Sequence, residues 1–169
     1  MAAIRHKGVI DVEKKKAVLK RVSLFAGLDG QTIEQLASIS ELRDYKSGQQ
    51  IYAEGEADAA LFVVVDGKIR IEKRVDAEQR QTLQQIKDGE ILGAISFVLG
   101  GDHSVSAQAI QDAELLVIRR TEFDKLAVRN PEVAYRIMLR LAGQLATLLR
   151  DMDERFVEMI GYIYGQSKK

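Results

Sequence analysis

Turn signals divide the middle of the chain into short segments of strand-like sequence, and this feature restricts the possible folds most. Residues 61–65 form a β-branched, apolar run, and the hairpin signal Asp66-Gly67 follows them directly. Polar and apolar residues then alternate over residues 68–73, and they alternate again over residues 104–109. Short strands that follow one another with turns between them predict an antiparallel β-roll.

Helical patterns lie on both sides of this strand region. On the N-terminal side, residues 9–22 predict an amphipathic helix with a solvated lysine face, and Asp29 is the predicted N-cap of a second, short helix. The predicted fold class is therefore α+β with a mainly β core: an antiparallel β-roll (a double-stranded β-helix, jelly-roll-like) flanked by N-terminal helices and a long C-terminal helix. We expect three parts, namely an N-terminal helical segment (1–42), the β-roll (43–120) and the C-terminal helices with a dimerisation seam (121–169).

The C-terminal part contains two predicted helix starts. Thr121 and Asp124 have capping-box spacing, which predicts a short helix. Asn130 and Pro131 then form a cap and a first helical residue, which predicts the start of a long helix.

Apolar residues of the long helix recur with alternating spacings of four and three, as in a coiled coil. We therefore expect a homodimer, and the predicted seam consists of Ala134, Met138, Leu141, Leu145, Leu148 and Met152. Ile137, Leu141 and Leu149 widen the apolar face, which leaves open that part of it packs back on the β-roll.

Composition narrows the range of functions. The chain of 169 residues has 25 Lys and Arg against 25 Asp and Glu, so a net charge of zero argues against nucleic-acid binding by this chain. There is no cysteine, which excludes thiolate chemistry, and no residue cluster predicts a metal site. The longest nearly apolar run, residues 91–99, is too short to cross a bilayer. We expect a cytoplasmic protein without membrane association.

Enzyme activity finds no support in the sequence. The chain contains no nucleophile motif, no recognisable pair of catalytic carboxylates and no Walker-type glycine loop. A non-enzymatic protein is the resulting expectation.

Four segments together resemble the cyclic-nucleotide-binding domain family in order and spacing. Residues 24–28 resemble the family's first helical segment, and residues 45–55 resemble its first strand pair. Residues 62–69 match its central hairpin, and residues 87–93 resemble the approach to its phosphate-binding cassette. The resemblance implies a β-roll fold, a regulatory sensing function and a cyclic nucleotide, cAMP or cGMP, as the possible effector.

The family's ligand chemistry lies in that cassette, which typically contains Phe-Gly-Glu-Leu-Ala and later Arg-Ala-Ala-Thr-Val. The resemblance implies that the corresponding ligand-binding residues here are Gly93, Ala94, Ile95, Ser96, His103, Ser104 and Ser106. Ala94 stands at the position of the ribose-binding glutamate. The position of the phosphate-binding arginine is held by His103 with kinase-type spacing, or by Ser104 with the spacing of the bacterial activator.

Loss of these two side chains predicts weak binding of ordinary cyclic nucleotides. A hydrogen bond to a charged group contributes about 1.5–3 kcal/mol, so losing both lowers affinity by roughly two to four orders of magnitude. His103 could substitute as a phosphate donor that depends on its protonation. The alternative is an exposed loop histidine without a ligand role.

Three functions remain open at this point. The first is a dimeric regulatory sensor that binds cyclic nucleotide weakly, or binds another ligand or a protein partner. The second is an ordinary cAMP or cGMP receptor. The third is a truncated Crp/Fnr-type transcription regulator, since only residues 165–169 follow the last tyrosine and leave no room for a DNA-reading helix.

Overall fold

The computed structural model describes residues 2–77 and 79–165, and it confirms the predicted fold class of helices around a β-roll. The helices are α1 (Ala2–Arg21), α2 (Gly30–Ile39), α3 (Ala94–Leu99), α4 (Arg120–Arg129) and α5 (Pro131–Gly165), with a 3₁₀ turn at Ser23–Phe25. The strands are β1 (Ser40–Tyr45), β2 (Gln50–Tyr52), β3 (Ala60–Asp66), β4 (Ile69–Arg74), β5 (Arg80–Ile86), β6 (Ile91–Leu92), β7 (Ser106–Ala109) and β8 (Ala113–Arg119). The division into segments 1–42, 43–120 and 121–169 stays a prediction.

Two four-stranded antiparallel sheets form the roll. The first sheet has the strand order β1-β8-β3-β6, and the second has the order β2-β7-β4-β5. Side chains from both sheets fill the space between them, including Phe62 and Leu115 from the first sheet and Ile69, Ile71 and Ala107 from the second. This shared core holds the two sheets together.

The helices pack on the outer face of the first sheet. Side chains of the helices and of this outer face form a second hydrophobic cluster, the helical core, to which Leu61 and Val63 of β3 belong. Phe62 and Val64 of the same strand face the interior of the roll instead. Because β3 is buried on both faces, its sequence is an uninterrupted apolar run instead of an alternating one.

Two predicted helix caps are confirmed. The carboxylate of Asp29 accepts a hydrogen bond from the Thr32 amide at 2.8 Å, and Asn130 Oδ1 accepts one from the Val133 amide at 3.4 Å. Helix α5 begins at Pro131, as the sequence predicts.

The predicted capping box at Thr121 is wrong. Helix α4 begins one residue earlier, at Arg120, and its N-cap residue Arg119 makes no side-chain cap. Asp124 instead accepts a hydrogen bond from Arg120 Nε at 2.7 Å. Arg120 also donates to the carbonyl oxygen of Val98 at 3.0 Å, so it joins the start of α4 to the end of α3.

The predicted helix over residues 9–22 is confirmed and begins earlier, at Ala2, but its lysine face is not uniformly solvated. Lys15 is buried and pairs with Asp11 at 3.0 Å. Lys14 pairs with Glu114 at 2.6 Å. Lys16 pairs with Glu13 at 3.0 Å, so all three lysines of this basic run are engaged with carboxylates of the chain itself.

Helix α5 contributes one stripe of side chains to the helical core. Ala134, Ile137 and Leu141 are buried there, and Leu141 is 0% exposed. The seam prediction is wrong for Ala134 and Leu141, because these side chains face the chain's own core. This part of α5 therefore packs back on the body of the protein, which is the alternative that the wide apolar face left open.

The C-terminal part of α5 is exposed over residues 146–164. Its 35 residues correspond to a length of about 50 Å at about 1.5 Å per residue. Within residues 2–77 and 79–165, no helix combines the length and the apolar character needed to cross a bilayer.

Candidate ligand-binding cleft

A cleft opens between the end of the β-roll, helix α3 and helix α5, with an internal volume of about 110 Å³. Its walls come from both sheets, from the cassette around α3 and from the middle of α5. The lining residues are Tyr52, Ile71, Gln84, Ile91, Leu92, Gly93, Ala94, Ile95, Ser96, His103, Ser104, Val105, Leu145 and Leu148. Six of the seven predicted ligand-binding residues therefore lie together here.

Gly93 sets the position of α3 against the first sheet. Its φ angle of +79° lies in the left-handed region, and a Cβ atom would collide with the carbonyl oxygen of Ala60 and lie 3.1 Å from the Phe62 ring. The backbone can approach β3 this closely only because residue 93 has no side chain.

The first turn of α3 presents backbone donors at the cleft. The amides of the first residues of a helix have no acceptor within the helix, and here these residues are Ala94, Ile95 and Ser96. None of these three side chains is charged. Backbone amides are therefore the main hydrogen-bond donors that this part of the cassette can offer to a ligand.

His103 is buried, and only 3% of its surface is exposed. Its ring stacks on Tyr52 with the ring centroids 3.6 Å apart and an angle of 8° between the planes. Its Nδ1 atom lies 3.1 Å from Ser96 Oγ, which in turn lies 3.0 Å from the carbonyl oxygen of Gly93. The alternative of an exposed loop histidine is wrong.

The backbone explains why His103 is held inside. Its amide donates to the carbonyl oxygen of Glu56 at 3.0 Å, and its own carbonyl oxygen accepts from the Gly55 amide at 2.8 Å. The loop after β2 is thus tied to residue 103, and the imidazole is closed in against Tyr52.

The two titratable side chains that line the cleft are uncharged at neutral pH. Burial lowers the pKa of His103, and the nearby backbone and carboxylate of Asp58, with Glu56 and Asp102, oppose this effect only in part. Burial raises the pKa of Tyr52, so its phenol stays protonated. His103 therefore offers a neutral imidazole to a ligand.

None of the described residues that line the cleft is charged. Lys73 lies close by, but its ammonium group donates to the carbonyl oxygen of Ser104 at 2.7 Å and pairs with Glu54 at 2.7 Å. Burying an anion without a counter-charge is costly. The described lining of the cleft therefore offers no permanent positive charge to a bound anion.

Ser106 lies outside the cleft. Its hydroxyl oxygen accepts hydrogen bonds from the Glu54 amide at 3.0 Å and from an Arg80 guanidinium nitrogen at 3.4 Å. Side chains alternate along β7, and it is the next residue, Ala107, that faces the interior of the roll. Ser106 connects strand ends and the loop after β2.

Sequence reasoning missed the lining residues that arrive from distant parts of the chain. Tyr52 ends β2, and Gln84 lies on β5 opposite Ile71 of β4. Leu145 and Leu148, which the sequence assigned to a dimer seam, face the cleft from α5. The apolar pattern of α5 was the available signal, but it did not indicate which surface these leucines contact.

Comparison with known proteins agrees with this geometry. Residues 42–130, more than half of the chain, match the family model for the cyclic nucleotide-binding domain. The chain belongs to the cyclic nucleotide-binding domain family. This match supports a regulatory domain with a non-catalytic role, and it makes cAMP or cGMP the effector class that the family suggests.

Individual relatives point in the same direction. The chain is 34% identical over 135 residues to the cyclic AMP receptor protein of Thermus thermophilus, covering 80% of this chain and 61% of that protein. The crystal structure of the Thermus thermophilus catabolite activator protein has a TM-score of 0.70 at 32% identity, with 80% of this chain and 62% of that chain covered. A cyclic nucleotide-binding domain from Methylobacillus flagellatus shares the fold, with a TM-score of 0.76 at 20% identity over 88% of this chain and 83% of that chain. This chain thus spans less than two thirds of the Thermus relative.

Proposed function

We propose that the chain is a non-enzymatic regulatory sensor domain of the cytoplasm whose cleft binds cyclic nucleotides weakly at neutral pH. The observation that carries this proposal is the absence of a charged side chain among the described residues that line the cleft. The resemblance gives the position of an arginine to neutral His103 with kinase-type spacing, or to Ser104 with the bacterial activator's spacing, and that of a glutamate to Ala94.

The size of the cleft adds a requirement for movement. Its volume of about 110 Å³ is well below the roughly 300–1,000 Å³ of ordinary ligand pockets. Leu145 and Leu148 line the cleft from the side of α5, so a nucleotide must displace this helix as it enters. Occupancy of the cleft would thereby change the position of α5, and the helix is the element through which a ligand can signal.

A second surface of α5 supports the homodimer. Next to the buried stripe runs an exposed apolar stripe with spacings of four and three, interrupted at Asp153. Its members are Tyr135, Leu139, Ala142, Ala146, Leu149, Phe156, Ile160 and Ile163. This exposed stripe is displaced by one residue from the seam that the sequence predicts, and a second copy of α5 is the occupant that matches it along its full length.

A nuclear magnetic resonance titration tests the cleft as the binding site. Addition of cAMP to ¹⁵N-labelled protein at neutral pH should shift the amide signals of residues 93–96, 103–104 and 145–148, with weak affinity. Ser96→Ala should alter the shifts, whereas Ser106→Ala, outside the cleft, should leave them unchanged. Shifts confined to any other surface would contradict the proposed site.

A second candidate function is that of a cyclic-AMP-responsive regulator of the Crp type. The specific support is the similarity to the Thermus thermophilus cyclic AMP receptor protein, of which the chain spans 61%. Tight binding of cAMP at neutral pH would favour this function over a weak sensor. If no cyclic nucleotide binds, a different small molecule or a protein partner on α5 becomes the expected effector.

A further inference from the structure

We propose that the cleft takes up its anionic ligand together with one proton, which the imidazole of His103 accepts. This inference rests on the proposed function, because it concerns how the same cleft accommodates a cyclic nucleotide. It adds a dependence on pH that a site with a permanent arginine would lack.

The hydrogen bonds around His103 prepare it to accept a proton. Ser96 has a single hydroxyl proton, yet its oxygen lies within hydrogen-bond distance of both His103 Nδ1 and the Gly93 carbonyl oxygen. When Nδ1 carries a proton and donates to Ser96, the hydroxyl is free to donate to Gly93. The neutral Nδ1–H tautomer already satisfies this relay from the imidazole to Gly93, the N-cap of α3, so the additional proton of the imidazolium resides on Nε2.

The other ring nitrogen leaves room for a second proton. Nε2 of His103 is buried and lacks a well-formed hydrogen bond within the described part of the chain, and the backbone of Asp58 lies close enough to favour the charged ring. An imidazolium donates from both nitrogens, so a ring that uses Nδ1 for Ser96 keeps Nε2–H available for an acceptor. The neutral ring leaves this capacity unused.

The surroundings of His103 favour a positive charge once an anion is present. Asp58 and Glu56 lie in the loop after β2, and Asp102 precedes His103 on its own loop; all three favour the protonated ring. Tyr52 is a neutral phenol whose stacked ring face also favours a cation. No lysine or arginine is among the described lining residues, and burial is thus the main factor that keeps the free ring neutral.

An anion in the cleft changes this balance. The phosphodiester of cAMP carries one negative charge that the cleft must desolvate, and His103 is the lining residue that can become cationic. Ligand binding and protonation then stabilise each other. Affinity for cAMP should fall by up to about tenfold per pH unit between the pKa of His103 in the free protein and its higher pKa in the complex.

Calorimetric titration of the protein with cAMP in PIPES and in bis-Tris, at about pH 6.5, measures the proton directly, because the observed heat includes the ionisation of the buffer. We expect uptake approaching one proton per bound cAMP in the unsubstituted protein. His103→Gln and His103→Arg should both show no uptake, and affinity in the arginine variant should be independent of pH. Adenosine lacks the anion and should bind without proton uptake.

The outcomes separate this inference from the proposed function. Binding of cAMP without proton uptake, or with the same affinity at about pH 5.5 and about pH 7.5, overturns the inference alone. Silence of the unsubstituted protein at both pH values, combined with tight binding by His103→Arg, also overturns it but leaves the proposed weak site intact. If His103→Arg too fails to bind while circular dichroism shows that it is folded, the proposed function itself is wrong.

Ser96→Ala, which keeps the imidazole, should reduce the proton uptake without abolishing folding.

Discussion

At Gly93 the backbone lies so close to β3 that only a residue without a Cβ atom fits. The left-handed φ angle and the approach to Ala60 act together, so substitution costs both strain and a displacement of α3. The same glycine presents the first amides of α3 to the cleft. One residue thus connects the packing of the roll to the chemistry of the site.

Gly93→Ala should lower the free energy of unfolding by about 2 kcal/mol or more, because an alanine must adopt a strained φ angle and meet the Ala60 carbonyl group. Thermal denaturation followed by circular dichroism measures this loss. Gly101→Ala is the matched control, since nothing lies within 4 Å of its Cβ position and its φ angle is not in the left-handed region. Equal stability of the two variants would show that the close approach is not required.

His103 should make folding stability depend on pH. Its pKa is lowered by burial in the folded chain, while the unfolded chain keeps the ordinary value of 6.5. The unfolded state therefore binds a proton first as pH falls below 6.5, and stability declines by up to about 1.4 kcal/mol per pH unit until the folded pKa is reached. Above pH 6.5 the histidine is mainly neutral in both the folded and the unfolded chain, so its full contribution to stability is present.

Urea denaturation at a series of pH values, for the unsubstituted protein and for His103→Gln, measures this contribution. The glutamine variant should lose the part of the pH dependence that belongs to His103. Parallel curves for the two proteins between about pH 5 and about pH 7 would contradict the assignment.

Sequence reasoning predicted a set of cassette residues but not their surroundings. The order of Gly93, Ala94 and His103 along the chain was enough to place them in one site by resemblance. The stacking of His103 on Tyr52 depends on the pairing of β2 with β7 and on the loop between β2 and β3, and neither leaves a local signal. For this reason the sequence left open an exposed histidine, and the structure buries it.

At the scale of elements, α5 has two neighbouring apolar stripes with the same spacing. One stripe includes Ala134, Leu141 and Leu145, and the other includes Leu139 and Leu149. A four-three pattern fits both, so periodicity alone could not say which stripe meets the body of the protein. Contacts between α5 and residues of the helical core that are far away in the sequence decide between the two stripes. Such contacts exist only in the folded chain.

Substitutions on the two stripes should have different effects. Leu139→Glu and Leu149→Glu place charges on the exposed stripe and should convert a dimer to a monomer in sedimentation velocity, with folding preserved. Leu141→Ala removes a fully buried side chain and should lower the free energy of unfolding by about 2–5 kcal/mol without changing association.

Thr147→Glu provides the control for added charge, because Thr147 is exposed on α5 outside the apolar stripe. It should leave the dimer intact. A monomeric unsubstituted protein at micromolar concentration would contradict the proposed homodimer, and an unchanged dimer in both glutamate variants would contradict the proposed stripe.

At the scale of the whole molecule, two sheets and one long helix meet at the cleft. Turn signals and alternating segments predicted the β-roll, and the caps at Asp29 and Asn130 predicted two of the helix starts. The strand order could not be predicted from these local signals, because β1 pairs with β8 and β2 pairs with β7 across most of the chain. That long-range pairing brings the cassette, Tyr52 and α5 together, so the structure was needed to complete the site.

We propose that the cleft retains the shape of the family's binding site but lacks its charged ligand contacts. The most direct test is calorimetric titration of cAMP, at about pH 7.5, into the unsubstituted protein and into the double variant Ala94→Glu/His103→Arg. The double variant should bind about two to four orders of magnitude more tightly, because each restored contact contributes about 1.5–3 kcal/mol. Micromolar binding by the unsubstituted protein, or no gain in a folded double variant, would contradict the claim.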